Sequence, residues 1–244
     1  MGRIFSRPRP RHRPQWHPTS LSTSSDGDAV SLEFFFDYIS PYAYIAWTQI
    51  HALAAEHGRT VTPVPVLFAA MLNESDTRGP AEIPAKRAYT FVDVSRTASV
   101  LGLRLEPPPS HPFNPLLALR VSTLAAPPQA RLALITRLYQ ATWAGGPGVT
   151  DPAVVARIAR EVGIEDAVAR AQRPETKARL RENTAAAIQR GVFGVPTIIA
   201  DGEMFWGYDS FGHLRRLLAG TLRVDAAAVE RWEGLPASAH RKGS

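Results

Sequence analysis

The chain has 244 residues, 45% of them apolar or aromatic, a formal net charge of +6 and no cysteine. That length supports one large domain or two small ones, and no apolar run approaches the ~18 residues that cross a bilayer. The missing cysteine excludes disulfides, thiolate metal sites and redox or nucleophilic chemistry by a protein thiol, so any sulfur chemistry must borrow its thiol.

The charge is unevenly spread. Residues 1–28 hold Arg3, Arg7, Arg9, Arg11 and Arg13 against Asp26 and Asp28, a net +3 and half of the total. This stretch has neither period nor core formers and is expected to be a disordered basic tail. Its repeated prolines prevent an amphipathic helix, which favours a solvated extension over a transit peptide or a basic arm. The rest of the chain is too weakly basic to predict a nucleic-acid partner. The N-terminus lacks the apolar segment of a secretory signal, so a cytoplasmic protein with no membrane partner is the expectation.

Along the chain, residues 31–36 alternate and are β-rich, which predicts a buried strand, and residues 42–57 place Ile45, Ile50, Leu53 and Ala54 at helical spacing. Ser40 suits the N-cap between them and Pro41 the first helical position. Such a terminus presents free N–H groups and the positive end of the helix dipole to an anion. Capping alone is also a sufficient reason for Ser-Pro here. Residues 60–67 read as a second strand, confined to an edge or a strand end by Pro63 and Pro65.

Residues 69–190 are helical in pattern, broken at Pro107-Pro108-Pro109, Pro127-Pro128 and Gly145-Gly146-Pro147-Gly148. Strands return at 197–200 and 203–206 around Asp201-Gly202, a strong hairpin dipeptide. A helix over 209–218 follows, with Asp209 as its expected N-cap, then one short helix beyond Arg223 and a frayed end at 239–242. Within the helical stretch 69–190, Lys86, Tyr89, Asp93 and Arg96 share one helix face, and for Asp93 and Arg96 a solvated, ion-paired stripe is expected. With no clustered His, Asp or Glu spacing, no metal site is expected.

The order β-α-β, helices, β-β-α predicts an α/β, thioredoxin-like fold interrupted by an all-helical insert. Its parts are residues 29–68 with 191–222 for the discontinuous thioredoxin-like domain, 69–190 for the insert and 223–244 for a C-terminal tail. Ser40 then stands at the motif position of that fold. Val195-Pro196 stands where it carries a cis-proline, with the Val195 backbone turned toward the site and able to pair with an extended peptide.

Five stretches carry a resemblance to a known family. They are Phe36-Asp37-Tyr38-Ile39-Ser40-Pro41-Tyr42, Ile83-Pro84-Ala85-Lys86-Arg87-Ala88-Tyr89, His111-Pro112-Phe113-Asn114-Pro115-Leu116, Val192-Phe193-Gly194-Val195-Pro196-Thr197 and Phe205-Trp206-Gly207-Tyr208-Asp209. In this order they resemble the 2-hydroxychromene-2-carboxylate isomerases and kappa-class glutathione transferases of the DsbA-like thioredoxin superfamily, over about residues 31–218. The resemblance implies glutathione as cofactor, with Ser40 holding its thiol, Val195 and Pro196 its backbone, and Trp206, Gly207, Tyr208 and Asp209 its γ-glutamyl end. It also implies a homodimer, and a small aromatic substrate met by Lys86, Phe113 and Asn114. For 111–115 a plain loop that starts a helix is an equal reading, and His111 receives no catalytic role.

A serine hydroxyl without a base is a poor nucleophile, and no histidine lies near Ser40 in sequence. It can donate a hydrogen bond to a thiolate whose pKa the helix terminus lowers. The activity that the resemblance implies is glutathione-dependent cis-trans isomerisation of an aromatic keto acid in aromatic-compound catabolism. The alternatives are a kappa-type glutathione transferase and a non-catalytic thioredoxin-like binding module.

Overall fold

Three consecutive phenylalanines form a strand here because both faces of that strand are covered. In the computed structural model, which describes residues 31–236, β1 (Leu32–Phe36) sends Phe34 and Phe36 into a cluster with Tyr38, Trp47 and Tyr139. Phe35 packs on the opposite side with Val66, Met71, Val195 and Ile199. Rings at centroid distances of 5.5 Å for Phe34–Trp47 and 4.8 Å for Tyr38–Tyr139 make this an aromatic core, in which each large ring removes ample apolar area from water. The expectations for the basic tail and the frayed C-terminal end lie outside the described residues.

The sheet has the order β2-β1-β3-β4. β2 (Val61–Pro65) runs parallel to β1, β3 (Thr197–Ala200) runs antiparallel to β1, and β4 (Glu203–Trp206) closes a hairpin on β3. β2 is an edge strand, as Pro63 and Pro65 require, and the carbonyls of these two prolines are taken by Arg131 (2.8 Å) and Asn183 (3.3 Å). Asp201 and Gly202 both adopt positive φ, which matches the hairpin turn to the twist of its strands. The sheet halves thus come from opposite ends of the chain, a DsbA-like thioredoxin arrangement.

Between β1 and β2 lies α1 (Pro41–Glu56). Between β2 and β3 the chain forms α2 (Phe68–Glu74), a short 3-10 turn, α3 (Pro84–Leu101), α4 (Leu116–Ser122), α5 (Pro128–Trp143), α6 (Pro152–Glu161), α7 (Ala167–Ala171) and α8 (Pro174–Gln189). The Pro107–Pro109 and Gly145–Gly148 breaks fall in the loops before α4 and α6, and Pro127-Pro128 forms the start of α5. Among the described residues no helix is long and apolar enough to cross a membrane.

Two expectations need correction. The helix predicted over 209–218 begins as a 3-10 turn, Tyr208–Ser210, and continues as α9 (Phe211–Leu218). Asp209 sits inside that turn and does not cap a helix, because the Ser210 hydroxyl donates to the Gly207 carbonyl (2.7 Å) and closes the turn first. Asp93 is no part of a solvated stripe, since it accepts a 2.7 Å hydrogen bond from the Tyr42 hydroxyl and ties α3 to the start of α1. The short helix beyond Arg223 is α10 (Ala226–Glu233), capped by Asp225.

Candidate active site

The site is built around one hydroxyl. Ser40 is the N-cap of α1, with extended backbone angles, and its Oγ accepts from the Ala43 N–H at 3.2 Å. The same Oγ donates to the Val195 carbonyl at 3.4 Å, a long hydrogen bond that a stronger acceptor would displace. Pro41 has no N–H, and the Tyr44 N–H goes to the Ser40 carbonyl, which leaves the Tyr42 N–H of the first turn without a bond among the described residues. Among the described residues no imidazole or carboxylate accepts from Ser40, so none of them supplies the base a nucleophilic serine needs.

Val195 and Pro196 are joined by a cis peptide bond and are buried. The β1–β3 ladder begins opposite Phe35 at Thr197, so Val195 lies beyond it and its backbone is not used by β1. The Pro196 carbonyl accepts from the Gly207 N–H at 2.9 Å, which draws the end of β4 to the proline. Gly207 has φ 83 and ψ 158, and the Asp209 carboxylate lies where a side chain on Gly207 would begin. The indole of Trp206 lies over Gly194, where a Cβ would come within 2.6 Å of its Nε1. Trp206 and Phe193 meet edge to face at 4.9 Å between centroids, both about half exposed. Ser40, Val195, Pro196, Trp206, Gly207 and Asp209 are therefore linked by direct contacts, and Tyr208 packs behind them against Phe211 (5.0 Å).

Lys86, Phe113 and Asn114, the residues expected to meet a substrate, are arranged differently. Lys86 is exposed in the first turn of α3 and makes no hydrogen bond or ion pair among the described residues. The neighbouring Arg87, also exposed, is the cation with partners, donating to the His111 carbonyl at 3.1 Å and lying 5.2 Å over the Phe91 ring. Phe113 is half-buried with its ring 6.2 Å from that of His111. The Asn114 side-chain oxygen accepts from the Leu116 N–H (3.0 Å), so half of its amide is used to start α4.

Two groups that motif reading passed over hold the loop before Ser40. His111, in a cis His111–Pro112 unit, reaches the Ile39 carbonyl through Nε2 at 2.9 Å. Burial lowers its pKa, the Ile39 carbonyl partly opposes this and the Arg87 charge adds to it, so the ring is neutral at physiological pH. Burial pushes the Tyr42 hydroxyl well above the usual phenol range, and the Asp93 carboxylate adds to the push, so it remains a donor.

Asp37 is the second group, wholly buried three residues before Ser40. Its carboxyl accepts from the Ile39 N–H (3.1 Å) and the Phe68 N–H (3.0 Å) and joins the Ser40 loop to the start of α2. Burial raises its pKa from 3.8 to about 7 against the opposing pull of these N–H groups. A raised carboxyl pKa means stability that is complete below pH 3.8 and is lost as pH rises through about 7. Asp37→Asn is expected to flatten this dependence, at a constant cost of about 1 kcal/mol for the acceptor it turns into a donor. Urea unfolding of both proteins checks it: going from pH 4 to pH 8 the wild type loses up to about 4 kcal/mol that the variant keeps. Parallel pH profiles for the two proteins would remove Asp37 as their source.

Fold and site together define a thioredoxin-fold protein in which a capped serine stands at the motif position, framed by a cis-proline and a Trp-Gly-Tyr-Asp turn. The chain belongs to the DsbA-like thioredoxin family, whose domain model matches residues 31–219. It is 27% identical over 200 residues to a 2-hydroxychromene-2-carboxylate isomerase of Pseudomonas putida, covering 80% of this chain and 97% of that one. It is also 27% identical over 203 residues to glutathione S-transferase kappa 1 of Caenorhabditis elegans, covering 77% and 90%. A solved structure of a 2-hydroxychromene-2-carboxylate isomerase superposes with a TM-score of 0.69 at 25% identity, over 79% of this chain and all of the other. These relatives are enzymes.

Proposed function

We propose that this chain is a glutathione-dependent isomerase of a conjugated aromatic keto acid, with Ser40 as host of the glutathione thiolate. The observation that carries this reading is the Ser40 hydroxyl itself, set on a helix N-terminus, free of any base and bonded onward only through a long contact to Val195. The residues present fit the tripeptide. The Val195 backbone offers an unladdered edge, and the bare Cα of Gly194 lets the Trp206 indole close over it. Asp209 supplies a carboxylate for an ammonium, beside the Gly207 turn.

Bound glutathione supplies a soft sulfur nucleophile that adds reversibly to a conjugated double bond and so frees that bond to rotate. The chain's share is to lower the cost of the thiolate and to orient it. Ser40 turns its proton from the Val195 carbonyl to the sulfur, while the Ala43 N–H keeps the hydroxyl oxygen in place. The Tyr42 N–H and the dipole of the 16-residue helix add positive potential at the same point. On the insert side, Phe113 and the Asn114 amide border the substrate, and Lys86 meets its carboxylate.

The kappa-type transferase is the second reading, favoured by the equal identity to the C. elegans enzyme. It uses the same thiolate and differs in releasing the conjugate. Incubation with glutathione and a conjugated aromatic cis-enone acid separates the two: isomer without net loss of glutathione supports isomerisation, and a retained thioether supports transfer. Calorimetry showing no glutathione binding at millimolar concentration would sink both and leave a binding module.

A further inference from the structure

The loop that aims Ser40 is held from outside by three ring donors of the helical insert. Successive carbonyls of the loop each receive one of them. Asp37 accepts from the Tyr139 hydroxyl at 3.5 Å, Tyr38 from the Trp143 indole N–H at 2.8 Å, and Ile39 from His111 Nε2 at 2.9 Å. Tyr139 and Trp143 are buried in the core and serve packing as well. His111 is different. It comes from a loop, is half-buried, and its ring lies among Phe91 (5.4 Å), Trp143 (5.5 Å) and Phe113 (6.2 Å).

We propose that His111 is a positioning residue: its Nε2–H holds the Ile39 carbonyl and so sets the direction of the Ser40 hydroxyl from the insert side. This rests on the thiolate-host reading of Ser40 for its functional consequence, although the positioning itself does not. A carbonyl can only accept, so Nε2 must carry the proton. Nδ1 is then the bare nitrogen, and it is buried with no hydrogen-bond partner among the described residues, so no competing bond there turns the ring away. The Ile39 peptide unit links directly to Ser40 N, and that N–H is itself bonded to the Asp37 carbonyl at 3.2 Å. A rotation of the Ile39 carbonyl therefore rotates the peptide plane that carries the Ser40 Cα. Because Phe113 touches the same imidazole, the wall of the insert and the thiolate host share one rigid element.

The test uses His111→Phe, which keeps the ring contacts and deletes the donor, and His111→Gln, which returns an N–H near the position of Nε2. Two readouts are needed. In the unliganded protein, the Ile39 carbonyl and Ser40 amide resonances are expected to shift in His111→Phe and to return toward wild type in His111→Gln. With glutathione, ultraviolet thiolate absorbance against pH is expected to titrate about 1 unit higher in His111→Phe, a tenfold smaller thiolate ratio at neutral pH, with affinity changed less than threefold. In wild type, ring nitrogen resonances are expected to give the Nε2–H tautomer, which needs no variant to fold. A Nδ1–H tautomer, or loop resonances unmoved in His111→Phe, overturns the proposal. If wild type itself never ionises glutathione while the loop resonances behave as stated, the thiolate reading fails and the positioning role stands.

Discussion

Ser40→Ala is expected to cut turnover with glutathione by about 10²- to 10³-fold, the usual loss when one donor to a charged reacting centre is removed. The hydroxyl has two duties, and the variant separates them. As N-cap it accepts from the Ala43 N–H, and losing this costs about 1 kcal/mol of stability. As donor it has only the 3.4 Å contact to the Val195 carbonyl among the described residues, so no other bond there depends on its proton. The rate loss must therefore exceed the stability loss by a wide margin, and it must appear as a raised thiol pKa in the bound tripeptide. Ser40→Thr keeps both duties and should retain most of the activity. Stopped-flow turnover with parallel thermal unfolding reads both effects. An unchanged thiolate titration in Ser40→Ala would falsify the host role.

Gly207→Ala is the second large effect. The residue adopts φ 83 and ψ 158, a region open in practice to glycine alone, and forcing alanine into it costs about 1–3 kcal/mol. Its new methyl would also fall on the Asp209 carboxylate and push it off the turn. The Gly207 N–H bond to the Pro196 carbonyl (2.9 Å) holds β4 against the cis-proline, so movement here passes directly to the Val195 edge. We expect glutathione affinity to fall at least tenfold, about 1.4 kcal/mol, with a clearly lowered Tm. Gly212→Ala is the matched control. It lies in α9 with no described residue outside its own helix backbone within 4 Å of the added methyl, and should be neutral or slightly stabilising. Calorimetry on both variants decides; equal affinities would remove the turn from the glutathione site.

Local sequence chemistry carried much of the architecture. The Ser-Pro cap, the edge prolines of β2, the Asp201-Gly202 turn and the helical breaks are each properties of a few adjacent residues, and each recurs in the structure. The resemblance of five short motifs to one family agrees with the domain match over 31–219. Less legible were the groups whose roles depend on partners far away in the chain. Asp93 read as a surface charge because its own helix shows only its face, while its partner, Tyr42, lies 51 residues earlier. His111 read as a loop residue because Ile39, 72 residues away, is invisible to any local window. Asp209 read as an N-cap because its position before an apolar helix fits that pattern, and the 3-10 turn found there is set by the positive φ of Gly207 and closed by the Ser210 hydroxyl.

Sequence by itself determined that no protein thiol takes part, that a strand hands Ser40 to a helix terminus, and that the sheet is split around a helical segment. These follow from composition, period and capping, which act within a turn or two of the chain. Only the tertiary structure decided that the Ser40 hydroxyl lies against Val195, that Trp206 closes over Gly194, and that Tyr139, Trp143 and His111 grip the three carbonyls before Ser40. Hydrogen bonds reach about 3 Å and carry no memory of sequence distance, so such contacts exist only once packing has brought the distant segments together.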